Sequence, residues 1–179
     1  RDSGLSPCDI RMIEVQELDG AIGSPQDSPY HGDYPCGTNV YAFPDGSRIA
    51  SDSGVVYHAT DLTYAGSLAG DFDSIDFYID LPVILRCQTL HLYSNTLVES
   101  GQYQLKDIND FIFVHDENVF SFKYQVDSID VVITPVDQIG PAVPGVAVNP
   151  VGLQYEPDTI AYDGNDLLYI LSRNNLSIF

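Results

Sequence analysis

The stretch Ile49-Ala50-Ser51-Asp52-Ser53-Gly54-Val55-Val56-Tyr57-His58 decides the fold, because it recurs. An apolar strand, four polar turn residues and a second apolar or aromatic strand reappear in Ile84-Leu85-Arg86-Cys87-Gln88-Thr89-Leu90-His91-Leu92-Tyr93. They return in Phe113-Val114-His115-Asp116-Glu117-Asn118-Val119-Phe120-Ser121-Phe122. The last copy is Ile170-Leu171-Ser172-Arg173-Asn174-Asn175-Leu176-Ser177-Ile178-Phe179. The turn quartets use residue types that close tight hairpins. Residues 47–179 therefore hold four copies of one β-hairpin.

The register extends past each hairpin. Seven residues after Val55, Leu90 and Val119 stand Leu62, Leu97 and Val126, and eleven after the first two stand Gly66 and Gly101. Those glycines suit a bend into a further strand. The copies begin at 49, 84, 113 and 170, spaced by 35, 29 and 57 residues. The mean, about 40, is the length of a four-stranded propeller blade. The short second interval predicts a blade lacking part of its inner strand. The long third one carries Pro135, Pro141, Pro144 and Pro150 and predicts a connection rather than a strand. Residues 39–43 before Pro44-Asp45-Gly46, and 159–162 before Asp163-Gly164, predict inner strands with their turns. No twelve-residue window repeats its apolar residues at helical spacing, so the class is all-β. A β-propeller-like array of about four blades fits this pattern, and a two-sheet β-sandwich of similar hairpins is the alternative.

Residues 39–68 run apolar strand, Pro-Asp-Gly, strand, Ser-Gly turn, strand, Asp-Leu-Thr, Gly. In this they resemble the YVTN/YncE-like β-propellers, also found in surface-layer proteins; the resemblance extends over 38–130 and 157–179. It implies a ring of radially packed antiparallel sheets, each burying both faces against its neighbours. The chain then divides into an N-terminal strand and loop, 1–37, and the repeats, 38–179. A start at Arg1 rather than Met reads as a processed or excised product, and Phe179 falls inside what would be a blade's third strand. Two completions fit. The missing blades belong to a longer parent or a partner, or residues 9–15, with Ile10, Met12 and Val15, pair with the last blade and close a four-bladed ring.

Charge narrows the partners. With 26 acidic against 7 basic residues, the net charge of −19 repels phosphate backbones and anionic lipid. Nucleic acid is therefore not an expected partner, and no apolar run is long enough to cross a bilayer. Cations, Ca²⁺ among them, and basic protein surfaces remain; the acidity equally serves solubility in an extracellular setting. Cys8 and Cys36 flank a segment rich in Gly, Pro, Ser and Asp, and a disulfide between them would stabilise that loop by roughly 3 kcal/mol. Cys87, beside an apolar strand, is expected to be a small buried residue.

Gly70-Asp71-Phe72-Asp73-Ser74-Ile75-Asp76 is the candidate metal segment, since a hard cation takes several oxygens from Asp71, Asp73 and Asp76. It lacks the EF-hand glycine and distal Glu, and a solvated loop between blades explains it equally. Asp-Ser-Ile-Asp recurs at 73–76 and 127–130, with related pairs at Asp107/Asp110 and Asp163/Asp166. Such acids either converge on a central channel or bond their own turns. His31, His58, His91 and His115 form no ligand set, and no Gly-x-Ser-x-Gly or distinguishable carboxylate pair points to catalysis. The expectation is a non-enzymatic extracellular or cell-surface binding or assembly module, with no catalytic residues and no cofactor or Ca²⁺ alone. Its partner is another protein, or a copy of itself added strand to strand. The alternative is a fragment of a Ca-dependent propeller enzyme, a hydrolase or lactonase.

Overall fold

The computed structural model describes residues 10–140 except Glu17, and beyond them the backbone of 151–153, 159–162, 168–172 and 175–178. Cys8, Asp163 and Asp166 lie outside the described residues. At the N-terminus β1 (Arg11–Met12) pairs with β2 (Gln26–Asp27), extended by a bridge between Val15 and Ile22. Everything that follows is sheet, apart from one 3-10 turn at Val136–Gln138.

Blade 1 is the antiparallel sheet β3 (Val40–Ala42), β4 (Arg48–Ser51), β5 (Val55–His58) and β6 (Tyr64–Ser67). Blade 2 is β7 (Ser74–Tyr78), β8 (Leu81–Arg86), β9 (Thr89–Tyr93) and β10 (Glu99–Gln104). Blade 3 is β11 (Phe111–His115), β12 (Asn118–Tyr124), β13 (Ile129–Pro135) and β14 (Val151–Leu153). A fourth sheet orders β15 (Thr159–Tyr162), β16 (Leu168–Ser172) and β17 (Asn175–Ile178). All neighbours in each sheet follow one another in the chain, the meander of propeller blades.

All four repeated hairpins form, as β4-β5, β8-β9, β11-β12 and β16-β17. Their rank differs. In blades 1 and 2 the hairpin is the second and third strand, whereas in blade 3 it is the first and second. The short second interval therefore reflects a shift by one strand, and blade 3 keeps its inner strand β11. The same shift corrects part of the third interval: it contains β13 and β14, with Pro135 at the end of β13, while Pro141, Pro144 and Pro150 lie outside the described residues. It also explains Val126. Leu62 (φ 56°) and Leu97 (φ 61°) sit in turns before fourth strands, with Leu62 buried, but Val126 lies in the turn before a third strand and is 94% exposed.

Why one sequence run buries two faces is clearest in β8. Ile84 points into the core shared with blade 1, beside Phe43, Val56, Leu68 and Tyr93. Val83 and Leu85 point the other way, into the core shared with blade 3, beside Leu90, Ile112 and Val119. A strand buried on both faces needs no polar alternation, so Leu81-Pro82-Val83-Ile84-Leu85 is continuously apolar. Aromatics pack both between and within blades: Phe43 meets Phe77 at 4.9 Å between ring centroids across the seam of blades 1 and 2, and Phe111 stacks on its cross-strand partner Phe122 in blade 3 at 4.4 Å.

Inner strands of adjacent blades run parallel and are tied by side chains. Ser74 Oγ accepts the N–H of Ile112 at 3.1 Å, and Asp76 Oδ2 accepts the N–H of Val114 at 2.6 Å. Outer strands dock on the next blade. A Cβ at Gly101 of β10 would lie 2.1 Å from the Ile139 carbonyl oxygen, where the chain leaves β13. Gln102 donates its N–H to the Gly140 carbonyl there at 3.1 Å, so only glycine admits that approach.

Of residues 9–15, those described do not pair with the fourth sheet. Within them Arg11 and Met12 pair with Asp27 and Gln26. Cys87 is likewise not buried: it is an exposed free thiol at φ 55° in the two-residue turn closed by Arg86 and Thr89. The hairpin requires positive φ at that first central position, and this places the side chain outside.

Candidate binding face

Each inner strand starts on one face of the array, here termed the top. The loops arriving at the inner strands and the turns between second and third strands share that face. They are woven together. Phe72 donates its N–H to the Asp52 carbonyl at 3.0 Å, Leu105 to that of Gln88 at 2.8 Å, and Asn109 to that of Cys87 at 3.1 Å. Arg86 adds side-chain bonds to the carbonyls of Asp71 (2.7 Å) and Leu68 (3.0 Å).

Aspartates hold the top of each blade. The residue just before β7 is Asp73: its N–H donates to the Leu85 carbonyl, and its carboxylate accepts the N–H of Cys87 two residues on. Just before β11, Asp110 repeats the arrangement with the Phe122 carbonyl and, at 2.6 Å, the Tyr124 N–H. Blade 1 achieves the same closure from the opposite partner. Asp52 accepts from the backbone and side chains of both Thr38 and Asn39, at 2.8 to 3.1 Å. A short polar side chain bonding a neighbouring amide is the usual reason for aspartate at such turns.

These bonds engage two of the three candidate metal residues. Asp73 closes the top of blade 2, Asp76 reaches across to blade 3, and the Asp71 side chain is exposed. Two of the three carboxylates thus bond different segments, and among the described residues no group of three or more His, Cys, Asp or Glu side chains stands placed to hold a metal ion. The two Asp-Ser-Ile-Asp copies also separate, because 73–76 opens an inner strand while 127–130 opens the third strand of its blade. The histidines are dispersed too. His91 Nδ1 lies 3.3 Å from Glu99, and His115 Nε2 lies 3.0 Å from Asp116.

What the top presents outward was not readable from spacing. Ile108, in the loop before β11, is 62% exposed; Tyr124, the last residue of β12, is 42% exposed, and Val126, in the turn after it, 94%. The Asp110–Tyr124 bond ties that loop to the end of β12, so these exposed apolar residues come from neighbouring segments of one face. Exposed Asp107 and Asp127 flank these residues in sequence, with Lys123 drawn to Asp107 at 3.5 Å, and exposed Asp71 lies in the blade 2 loop of the same face. On the opposite face Asp45 and Asp61 are occupied locally. Hydrogen bonds from Ser47 and Thr63 hold their carboxyls below the ordinary carboxylate range. Exposed Ile79 and Val98 lie there in two separate turns of blade 2. The exposed apolar residues that come from joined segments, with acids beside them in sequence, are thus on the top. A sequence signal for it existed in the apolar residue set among acids in both Asp107-Ile108-Asn109-Asp110 and Tyr124-Gln125-Val126-Asp127.

No protein-family model and no curated protein sequence matches the chain. Solved structures do. The glutaminyl cyclase of Myxococcus xanthus superimposes with a TM-score of 0.47 at 9% identity, over 97% of this chain and 91% of that one. Sqt1 of Saccharomyces cerevisiae gives a TM-score of 0.50 at 14% identity, covering 78% of this chain and 43% of Sqt1, so the chain spans under half of that structure. At such identity the likeness to Sqt1 is one of fold alone, and it agrees with the blades described above: the chain is an all-β, β-propeller-like array.

Proposed function

We propose that this chain is a protein-binding module whose top face holds a basic, partly apolar segment of another protein. One observation carries the reading: Ile108, Tyr124 and Val126 stand exposed in the loop and the strand end with its turn that the Asp110–Tyr124 bond joins, with exposed Asp107 and Asp127 next to them in sequence and exposed Asp71 on the same face. Exposed apolar groups on a soluble surface mark contact sites, and acidic borders select a cationic partner and speed its encounter. A net charge of −19 extends that field over the whole molecule and repels a second copy, which favours a heterologous partner over self-assembly. The extracellular or cell-surface setting belongs to the proposal and is supported by the acidic composition and by the pair Cys8 and Cys36 across the N-terminal loop. Kinship with YVTN/YncE-like propellers is likewise proposed, on residues 39–68.

The test is a titration of the full chain with a labelled peptide alternating Lys and Leu, and with its Glu-for-Lys counterpart. Binding of the Lys peptide alone, weakened by salt and by Asp71→Lys with Asp127→Lys, is the expected result. Equal binding of both peptides, or of neither, would overturn the proposal.

A further inference from the structure

The N-terminal hairpin, residues 10–28, is built unlike the blades. Strands β1 and β2 are two residues each, and among the described residues their sheet has no third strand. Backbone bonds zip the arm along its length: Ser28 N–H to the Ile10 carbonyl, Gly23 to Glu14, and Gln16 to Ala21. Its base is fastened to the outer edge of blade 1. Ser28 Oγ donates to the Leu62 carbonyl, and Tyr30 Oη accepts the N–H of Tyr64 at 3.0 Å. Tyr34 stacks flat on Tyr64, with ring centroids 5.1 Å apart.

Beyond that anchor the arm carries apolar groups that it cannot bury. Ile13 is 50% exposed, Val15 62%, Ile22 73% and Leu18, at the tip, 101%. Val15 and Ile22 are bridge partners, so they share a face. A two-stranded hairpin on its own is marginal in water, and this one exposes the side chains that would make it otherwise. The interleaved charges are acidic: Glu14, Asp19 and Asp27 are exposed, and Arg11 is paired with Asp27.

We propose that this arm is a second docking element, taking an extended basic and apolar segment of the partner by strand addition along the hairpin. The occupant follows from charge. A second copy would bring another −19 and another acidic arm, whereas a strand alternating Lys or Arg with Val or Ile matches both the apolar face and the carboxylates. The inference takes its partner class from the function proposed above but concerns a different surface, since the arm's base lies at the turn holding Leu62, on the opposite face from Asp71 and Asp127.

The experiment is amide hydrogen exchange on the full chain with and without a peptide alternating Lys and Val. It is repeated for Val15→Asp with Ile22→Asp, and for Asp71→Lys with Asp127→Lys. Both arm positions are exposed, so the thermal midpoint should report an intact propeller. Expected are slowed exchange over residues 11–27 with peptide, loss of that slowing and at least a tenfold weaker binding in the arm variant, and retained arm protection in the top-face variant. Slowed exchange at the top face alone would overturn the arm while leaving the proposed function standing. No slowing anywhere would overturn both. A dimer by light scattering that the arm variant disperses would make a second copy the occupant, against this inference.

Discussion

Asp76 on β7 accepts the amide N–H of Val114 on β11 at 2.6 Å, so a carboxylate joins two inner strands that share no backbone ladder. Its second oxygen takes the N–H of Phe77 at 2.8 Å. Replacement by Ala leaves the Val114 N–H without this partner in a half-buried seam and should cost about 1–3 kcal/mol at neutral pH, read as a lower urea midpoint.

The pH dependence of the same group has a definite sign. Burial outweighs the two N–H donors and raises the Asp76 carboxyl above the ordinary carboxylate range. A carboxyl with a raised folded-state pKa is protonated first in the folded chain. Its contribution to stability therefore grows as pH falls through the folded value and levels off below the unfolded one, at about 3.9. Asp76→Asn cannot titrate, so wild type should gain stability relative to it between neutral pH and about pH 4. A gap that stays constant over that window would contradict this reading.

Gly101→Ala should destabilise the chain by about 1–3 kcal/mol, because the new methyl meets the Ile139 carbonyl rather than a yielding side chain. Gly66→Ala is a companion: its Cβ would meet Leu97 Cδ1 at 2.5 Å, and its φ of 142° adds strain. Thermal midpoints check both, and an unchanged midpoint for Gly101→Ala would mean that blade 3 does not dock on β10.

The blades were readable in the sequence where strand and turn chemistry is local. Hairpins such as β8-β9 announced themselves because Arg86 to Thr89 must be polar and their flanks apolar. The rank of the third copy was not readable. Phe113 to Phe122 has the same local pattern whether it forms strands one and two or two and three, and only its pairing with β13 decides. The alternation Ile129, Val131, Ile133 was the available signal for that strand. The candidate binding face was hidden for a related reason. Ile108 and Val126 are eighteen residues apart, and their segments are joined only because Asp110 reaches Tyr124, a consequence of how blade tops close.

Thiol counting tests the N-terminal pairing. Cys87 is exposed and free, so one thiol should react in the native chain. With Cys8 and Cys36 joined, unfolding without reductant should still yield one thiol, and reduction should yield three, the chain's whole complement. Three reactive thiols on unfolding alone would exclude the disulfide.

Calcium should not stabilise the chain. Asp73 and Asp76 each already accept a backbone N–H from a different element, so thermal midpoints in excess Ca²⁺ and in excess EDTA should coincide. A midpoint several degrees higher in Ca²⁺ would show that the carboxylates do gather around an ion.

The central claim is that the top face, with its exposed apolar residues and neighbouring acids, is where a basic partner sits. Residue-resolved amide shifts of the full chain, recorded while the Lys-Leu peptide is added, test it most directly. The account predicts saturable, salt-sensitive shifts at residues 69–73, 105–110 and 124–128, abolished by Asp71→Lys with Asp127→Lys. Shifts confined to the opposite face around Asp45, Ile79 and Val98, or shifts at the top that the charge reversals leave unchanged, would contradict it.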